Sequence, residues 1–307
     1  MIKRTVEISR EPAHLSVRND QLVLKRNGDA VGQIPCEDVG VVLVDQPQTT
    51  YTHSALTRLA DCGATVVLCG RDHLPVALVL PLADHSEVVW RINEQLAVKR
   101  PLKKQLWRQI VRAKIRGQAK NLAEGTAARK RLVQLAREVK SGDPKNAEAQ
   151  AARIYWAQWL PGEEFRRDRD LPGVNAMLNY GYAVARAAVA RALVAAGLLP
   201  AIGLHHCNRS NAFCLADDLV EPLRPMVDHR VRDMRQQGLE ELTQQTKAEL
   251  LRLLTDRVQV GDETGPLMVN LHRMVASLVK CFQGKTKRLE ILKPVSEPDC
   301  ENAKREN

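Results

Sequence analysis

The sequence lacks the signatures that most quickly assign a protein to a class. No Cys-x-x-Cys pair occurs, and the seven cysteines are an odd number scattered through 307 residues. That usage predicts free thiols in a reducing compartment rather than a disulfide framework. The amino-terminal Met1-Ile2-Lys3-Arg4-Thr5-Val6 has no apolar signal-peptide core. No run approaches the ~18 apolar residues needed to span a membrane. Together these absences predict a soluble cytoplasmic protein with no membrane partner. Neither Gly-x-x-x-x-Gly-Lys-Ser/Thr nor Gly-x-Ser-x-Gly occurs, so the phosphate-loop and nucleophile-elbow enzymes are set aside. There is no internal repeat.

Acidic residues are also scarce in one place. Between Arg91 and Lys140 stand fifteen Lys or Arg and only three acids, Glu94, Glu124 and Glu138. A merely solvated helix face would pair its charges along the helix; a one-signed run forgoes that pairing. Over the whole chain 46 Lys and Arg face 36 Asp and Glu, a net charge of +10, which predicts attraction to a polyanion, most often nucleic acid. Apolar residues make up 44% of the chain, enough for a substantial core.

The first eighty residues read as short strands. Val6-Glu7-Ile8 precedes the alternating Leu15-Ser16-Val17 and Leu22-Val23-Leu24, with Asn19-Asp20 as their turn. Val39-Gly40-Val41-Val42-Leu43-Val44 is continuously apolar and predicts a strand buried on both faces. A helix capped by Thr52 or Ser54 and stopped at Gly63 comes next, then strands over 65–69 and 76–80. Pro81-Leu82-Ala83-Asp84 marks a boundary, after which the period changes to that of helices. The reading is α+β: a β-rich domain over 1–82, a larger all-α domain over 83–290, and a tail over 291–307, disordered from Ser296 onward. Helical segments are expected after Ser86, broken by Pro101 and resuming at Leu102. Another runs over 147–157, with Asp143 as its N-cap candidate and Pro144 at the first helical position, and others run over 174–196, from Leu239, and over 266–281.

The chemistry concentrates between His205 and Glu221, where two imidazoles, two side-chain amides and three carboxylates share an otherwise apolar neighbourhood. Such groups are costly to bury unless they bind something, and a metal ion is the simplest candidate. Asp218 and Glu221, three apart, fall on one helical side, and Pro222 and Pro225 would interrupt the helix beside them. An imidazole with two or three oxygens suits Mg²⁺ or Mn²⁺. Cys207, Cys214 and His205 offer zinc ligands but no paired spacing on a second arm. Glu148 shares a helical stripe with Ala152, Tyr155 and Trp159, but as an isolated residue it reads better as a helix-start carboxylate favoured by the dipole. Asn175 and Asn179, four apart, project together and could hold a neighbouring loop or carboxylate by hydrogen bonds.

Four motifs in this order resemble the CRISPR-associated integrase family Cas1. They are Ala151-Ala152-Arg153-Ile154-Tyr155-Trp156 after Glu148; Asn175-Ala176-Met177-Leu178-Asn179-Tyr180-Gly181-Tyr182; Gly203-Leu204-His205-His206; and Asp218-Leu219-Val220-Glu221-Pro222-Leu223-Arg224-Pro225. All lie in the second half, while the first agrees in having a β-domain before a helical one. The His205–Phe213 variant resembles members of type II systems. The resemblance implies metal ligands and catalytic residues at Glu148, His206 and Glu221, with His206 chosen over His205 by the Gly-x-x-His spacing. His205, Asp218, Asn175 and Asn179 would then support those ligands. Two departures occur, Ala149 where many members have Gly and Leu223 where Phe is common.

The resemblance further implies attack by the 3′-hydroxyl of a protospacer on a phosphodiester at the CRISPR repeat boundary, assisted by Mg²⁺ or Mn²⁺. Its partners would be double-stranded DNA, a second copy through the β-domain, a Cas2 dimer bridging two such homodimers, other type II adaptation proteins and the effector nuclease. The basic region supplies Lys103, Lys104, Arg108, Arg112, Lys114 and Arg116 as DNA-binding candidates. Two other functions compete: a metal-dependent DNA hydrolase with the same ligands and water as nucleophile, and a non-catalytic DNA-binding scaffold.

Overall fold

Alternating apolar residues at the start of the chain build two small sheets that face each other. The computed structural model describes residues 3–81, 85–163 and 165–295. In chain order the first region holds β1 (Arg4–Ile8), β2 (His14–Arg18), β3 (Gln21–Arg26), β4 (Asp29–Pro35), β5 (Val39–Val44), β6 (Thr50–Tyr51), helix α1 (His53–Asp61), β7 (Thr65–Cys69) and β8 (Pro75–Val79). One sheet has the order β1-β5-β7-β8, parallel except for β8; the other has the order β4-β3-β2-β6. Asn19 and Asp20 both take positive φ, 49° and 58°, as a two-residue hairpin turn requires. The second hairpin turn, at Asn27-Gly28, joins β3 to a strand the sequence reading passed over, because β4 is largely exposed and carries little apolar pattern.

Every residue of β5 is buried, as its unbroken apolar run predicts. Val42 and Val44 pack into the core between the sheets with Ile8, Leu15 and Leu22, while Val41 and Leu43 join the core of the helical region. Helix α1 starts where Thr52 accepts from the Ala55 N–H and ends before Gly63, whose φ of 69° suits glycine.

The second region contains α2 (Val88–Ala97), α3 (Arg100–Asn121), α4 (Ala127–Glu138), α5 (Ala147–Trp156), α6 (Val174–Ala195), α7 (Cys214–Val220), α8 (Arg224–Gln236), α9 (Gln244–Arg252) and α10 (Leu267–Phe282). It also carries a small antiparallel sheet of β9 (Arg257–Val260), β10 (Glu263–Pro266) and β11 (Lys293–Pro294), which the helical reading did not include. The tail expected from 291 therefore begins with ordered chain: Leu292 is buried and Lys293–Pro294 pairs with β9. The expected boundary at 82/83 and the segment from Ser296 lie outside the described residues.

Local details shift several expected ends. The break expected at Pro101 falls two residues earlier, at Val98–Lys99 between α2 and α3, and Pro101 sits in the first turn of α3, where its missing N–H costs nothing. The α5 helix starts at Ala147 as expected, but the residue next to it that caps it is Asn146 rather than Asp143, in a left-handed conformation with its side chain accepting from the Ala149 N–H. Trp159 is buried but lies past the end of α5, so the helical stripe from Glu148 stops at Tyr155. Residues 239–242 are not helical: Thr243 and Thr246 form a reciprocal capping box that starts α9.

The alanine-rich α6 is the axis of the helical core and packs against α7, α8, α9 and α10. A Cβ at Gly181 would collide with Val227, so glycine there sets the close approach of α6 and α8. The two regions share buried polar contacts as well as apolar ones. Lys247 and Asp45 pair at 2.5 Å with both side chains buried, and Arg191 Nε donates to the Gly63 carbonyl at 2.8 Å.

Candidate active site

Three segments far apart in sequence meet at the centre of the helical region. The first is the start of α5. Both Asp143 carboxylate oxygens accept backbone N–H groups, from Ala147 at 2.8 Å and Glu148 at 3.0 Å. They work with the Asn146 cap to satisfy the free donors of the helix start and fix Glu148 in its first turn.

The second is the loop over 203–211, organised by Asp218 of α7. Asp218 is fully buried. Its Oδ2 accepts the N–H groups of Leu204 at 2.6 Å and His205 at 3.1 Å, and its Oδ1 accepts from the His206 backbone at 3.2 Å and ring Nδ1 at 2.7 Å. Gly203 is required here, since a Cβ would strike the His206 carbonyl and lie 3.0 Å from Asp218 Oδ2. The hydrogen bond to Asp218 raises the His206 pKa above its ordinary value, against the opposing effect of burial. With Nδ1–H given to the carboxylate, Nε2 is the nitrogen left for a ligand, the arrangement metal-bound histidines adopt. His205 points elsewhere: it stacks on Trp107 with ring centroids 4.2 Å apart and planes at 2°.

The third segment is the break between α7 and α8. The helix stops at Val220 and restarts at Arg224 with Pro225 in its first turn, the interruption Pro222 and Pro225 predict. Glu221 lies in this break with its side chain 5% exposed. Arg224 Nε meets its Oε1 at 2.9 Å, and Lys114 Nζ its Oε2 at 2.5 Å. The same ammonium reaches Glu148 Oε1 at 2.6 Å. Burial pushes the Glu221 pKa up, but the charges of Arg224 and Lys114 outweigh it and hold Glu221 below its ordinary value. Burial likewise disfavours the Lys114 charge, and Glu221 and Glu148 together outweigh it, leaving that pKa raised.

Glu148 and Glu221 are thus joined through Lys114, and Glu221 and His206 are close enough to perturb one another's charge. Among the described residues, no group of three or more His, Cys, Asp or Glu is placed to hold a metal ion as the side chains stand. The donors nevertheless fit a hard divalent cation in kind: two carboxylates and an imidazole oriented by a third carboxylate. Glu221 Oε2 adds to that fit, being a buried acidic oxygen whose neighbour at 2.5 Å is the Lys114 ammonium. A zinc set built on Cys207, Cys214 and His205 does not form. Cys207 is exposed, the Cys214 thiol is spent on the backbone carbonyls of Asn208 and Asn211, and His205 is stacked on Trp107.

A cleft of about 910 Å³ opens beside these groups, with Lys114, His206, Arg167, Arg169, Arg186 and Arg224 in its walls. Asn175 and Asn179 serve the loop rather than a carboxylate. Arg167 donates to Asn175 Oδ1 at 2.9 Å and to Asn179 Oδ1 at 2.6 Å, and the two amide nitrogens donate to the carbonyls of Arg166 and Arg169. Asp228 is another group in the cleft that the sequence reading missed. Burial raises its pKa to about 7, with the Tyr182 and Tyr155 hydroxyls pulling the other way.

The basic helix divides its candidates. Lys104 and Arg116 are exposed; Lys103 donates to the Gly203 carbonyl at 3.4 Å, beside the histidine loop. Arg108 and Arg112 line a shallow depression with Arg137, Lys140 and Lys145. Lys114 faces inward. Its position was legible, since Trp107, Ile110, Val111, Ile115 and Gln118 form the buried face of α3 on either side of it.

A profile of the family described as CRISPR associated protein Cas1 matches residues 6–257. The CRISPR-associated endonuclease Cas1 of Neisseria meningitidis serogroup C (strain 8013) is 42% identical over 268 residues, covering 86% of this chain and 87% of that protein. Among solved structures, a casposase bound to integration product superposes with a TM-score of 0.77 at 17% identity, covering 97% of this chain and 98% of its own. A Cas6-RT-Cas1–Cas2 complex gives a TM-score of 0.77 at 18% identity, over 96% of this chain and 36% of that one. A Cas1 protein from Thermotoga maritima gives 0.71 at 15% identity, covering 95% of this chain and all of that one.

Proposed function

The chain belongs to the CRISPR-associated Cas1 endonuclease/integrase family, and we propose that it joins the 3′-hydroxyl ends of protospacer DNA to the repeat boundary of a CRISPR array. The observation that carries this reading is the meeting of Glu148, His206 and Glu221 from three separate segments at a cleft walled with arginines. In the reaction the incoming 3′-oxygen forms a bond to phosphorus and the array strand's P–O3′ bond breaks. The proton lost by the attacking hydroxyl is matched by one taken up on the leaving 3′-oxygen, so water is neither consumed nor needed. A protein nucleophile is not required.

Mg²⁺ or Mn²⁺ held by Glu148, His206 and Glu221 would supply Lewis-acid activation and offset the charge at phosphorus. The protein's own contribution is placement. Asp218 fixes the ring and tautomer of His206, and the α7–α8 break holds Glu221 beside Arg224. Arg167, clamped by the two asparagines, and Arg169, Arg186 and Arg224 set positive charge along the cleft where phosphates would lie. The exposed basic residues of α3 would add contacts to duplex phosphates that are salt-dependent and blind to sequence.

Joining is favoured over plain hydrolysis because a casposase of the same fold is described with an integration product. The solved Cas6-RT-Cas1–Cas2 complexes of the same fold support a Cas2 partner for this chain, with two homodimers bridged by a Cas2 dimer. A cytoplasmic location follows from an array substrate, and the type II character of the His205–Phe213 loop extends the partners to the other adaptation proteins and effector nuclease of such a system.

The test is a strand-transfer assay with purified protein, its Cas2 partner, short duplexes with free 3′-hydroxyls and a supercoiled plasmid carrying a repeat. Covalent joining that needs Mg²⁺ or Mn²⁺, and vanishes with EDTA, with His206→Ala and with Glu221→Ala, is the expected result. Nicking without joining would favour the hydrolase. DNA binding with neither reaction would leave only the scaffold.

A further inference from the structure

Lys114 is a buried cation placed at the point where two acidic side chains converge. It rises from the apolar face of α3, is 9% exposed, and its ammonium lies 2.6 Å from Glu148 Oε1 and 2.5 Å from Glu221 Oε2. These carboxylates come from different segments, so nothing in the local chain holds them together, and their like charges repel at this range. A lysine left buried without them would itself be costly. With Arg224 on the other oxygen of Glu221, the two cations and two acids make sense as a set, with the ammonium between the acids.

We propose that Lys114 is a built-in counter-cation: a positioning residue that holds Glu148 and Glu221 in place before a divalent ion arrives and gives up that place when one binds. The inference rests on the metal-dependent reading above. Its physical basis is competition. An ammonium with both carboxylates in contact opposes a divalent cation seeking the same oxygens, by like charge and by occupying the space. Lysine suits the exchange better than arginine, being a compact point charge on a flexible four-carbon stem rather than a planar fork. The departing ammonium has somewhere to go, since Lys114 also lines the cleft.

The test measures metal binding rather than turnover. Mn²⁺ is titrated into the full chain, treated first with EDTA and then freed of it, and free Mn²⁺ is followed by its electron paramagnetic resonance signal. Lys114→Met and Lys114→Gln should bind Mn²⁺ about tenfold more tightly than the wild type, about 1.4 kcal/mol. In EDTA both should melt at lower temperature than the wild type and regain more on adding Mn²⁺. A lysine with a merely structural role would lower stability without tightening the metal. If the wild type binds Mn²⁺ and both folded variants bind it no more tightly, the inference fails while the metal reading stands. If none of the three binds, both fail. Should the variants not fold, acetic anhydride labelling of the wild type decides: Lys114 acetylation should rise at least about threefold with Mn²⁺, the sign of a side chain released from burial, and an unchanged rate overturns the proposal.

Discussion

Asp218 touches no proposed substrate, yet its removal should be among the most damaging substitutions in the chain. It accepts four hydrogen bonds from one loop, three from consecutive backbone N–H groups and one from His206 Nδ1. Hydrogen bonds to a charged group contribute ~1.5–3 kcal/mol each, a sum of about 6–12 kcal/mol if nothing replaced them. The loop over 204–206 is only partly buried, so water will satisfy much of what Asp218→Ala releases. A net loss of ~3 kcal/mol is therefore the working figure. Spread over a chain of this size that is a fall of ~6 °C in Tm. Locally it should raise amide exchange over 204–206 by about 100-fold, since each 1.4 kcal/mol is tenfold in the opening equilibrium. Joining should drop by about 10- to 100-fold, the usual scale for losing the group that orients a ligand, with Lys114, Glu148 and Glu221 untouched. Asp218→Asn keeps one acceptor oxygen but aims an amide N–H₂ at donors, and should fall between. Hydrogen exchange by mass spectrometry, calorimetry and strand transfer on the same preparation read the three effects. If Asp218→Ala joins DNA within threefold of the wild type and its 204–206 peptides exchange at the wild-type rate, the organising role assigned to this carboxylate is wrong.

Other outcomes follow from the same geometry. Glu221→Ala leaves Lys114 and Arg224 with one buried counter-charge fewer, and should cost ~3–5 kcal/mol in calorimetry as well as abolishing joining, whereas Lys104→Ala on the exposed side of α3 should leave Tm unchanged. Lys104→Ala and Arg116→Ala should weaken duplex binding equally for unrelated sequences and reduce the slope of log K against log salt by about 1 each if each contacts a phosphate. A base-specific loss in a binding titration would refute that assignment. Asp228 gives a pH test. Its folded pKa of about 7 lies above the ordinary 3.8, so the fold retains a proton that the unfolded chain has lost, and stability falls as pH rises from about 4 to about 7. Asp228→Asn keeps an acceptor for Tyr182 and removes the titration. It should match the wild type below pH ~4 and be more stable by ~2–4 kcal/mol above pH ~7; urea melts across that range showing a constant difference would contradict this.

The residues that were legible in the sequence and those that were not differ in the reach of the force that places them. β5 could be read because burial on both faces demands an unbroken apolar run, a property of six adjacent residues. The α7–α8 break could be read because proline acts on its own turn, and Asn175 and Asn179 because four residues bring side chains to one face. What those asparagines hold was not legible: Arg167 comes from a loop whose path is set by tertiary packing. The helix start at Glu148 shows two local signals in competition, for Asp143 and Asn146 both cap it, and the left-handed Asn146 takes the position next to the helix.

Lys114 marks the limit most clearly. By sign it belongs to the basic run over 91–140; by period it belongs to the buried face of α3. Those two readings conflict unless the lysine is paired, because a buried unpaired ammonium would lose its proton or unfold its surroundings. The conflict was visible in the sequence, but its resolution was not. One partner lies 34 positions away and the other beyond two further helices, and no local rule connects them. A charge that violates the apolar period of its own helix is thus the sign a single sequence gives of an electrostatic site, and the acid it needs must be sought among equally misplaced carboxylates. Glu221, next to a proline break and buried, is such a residue.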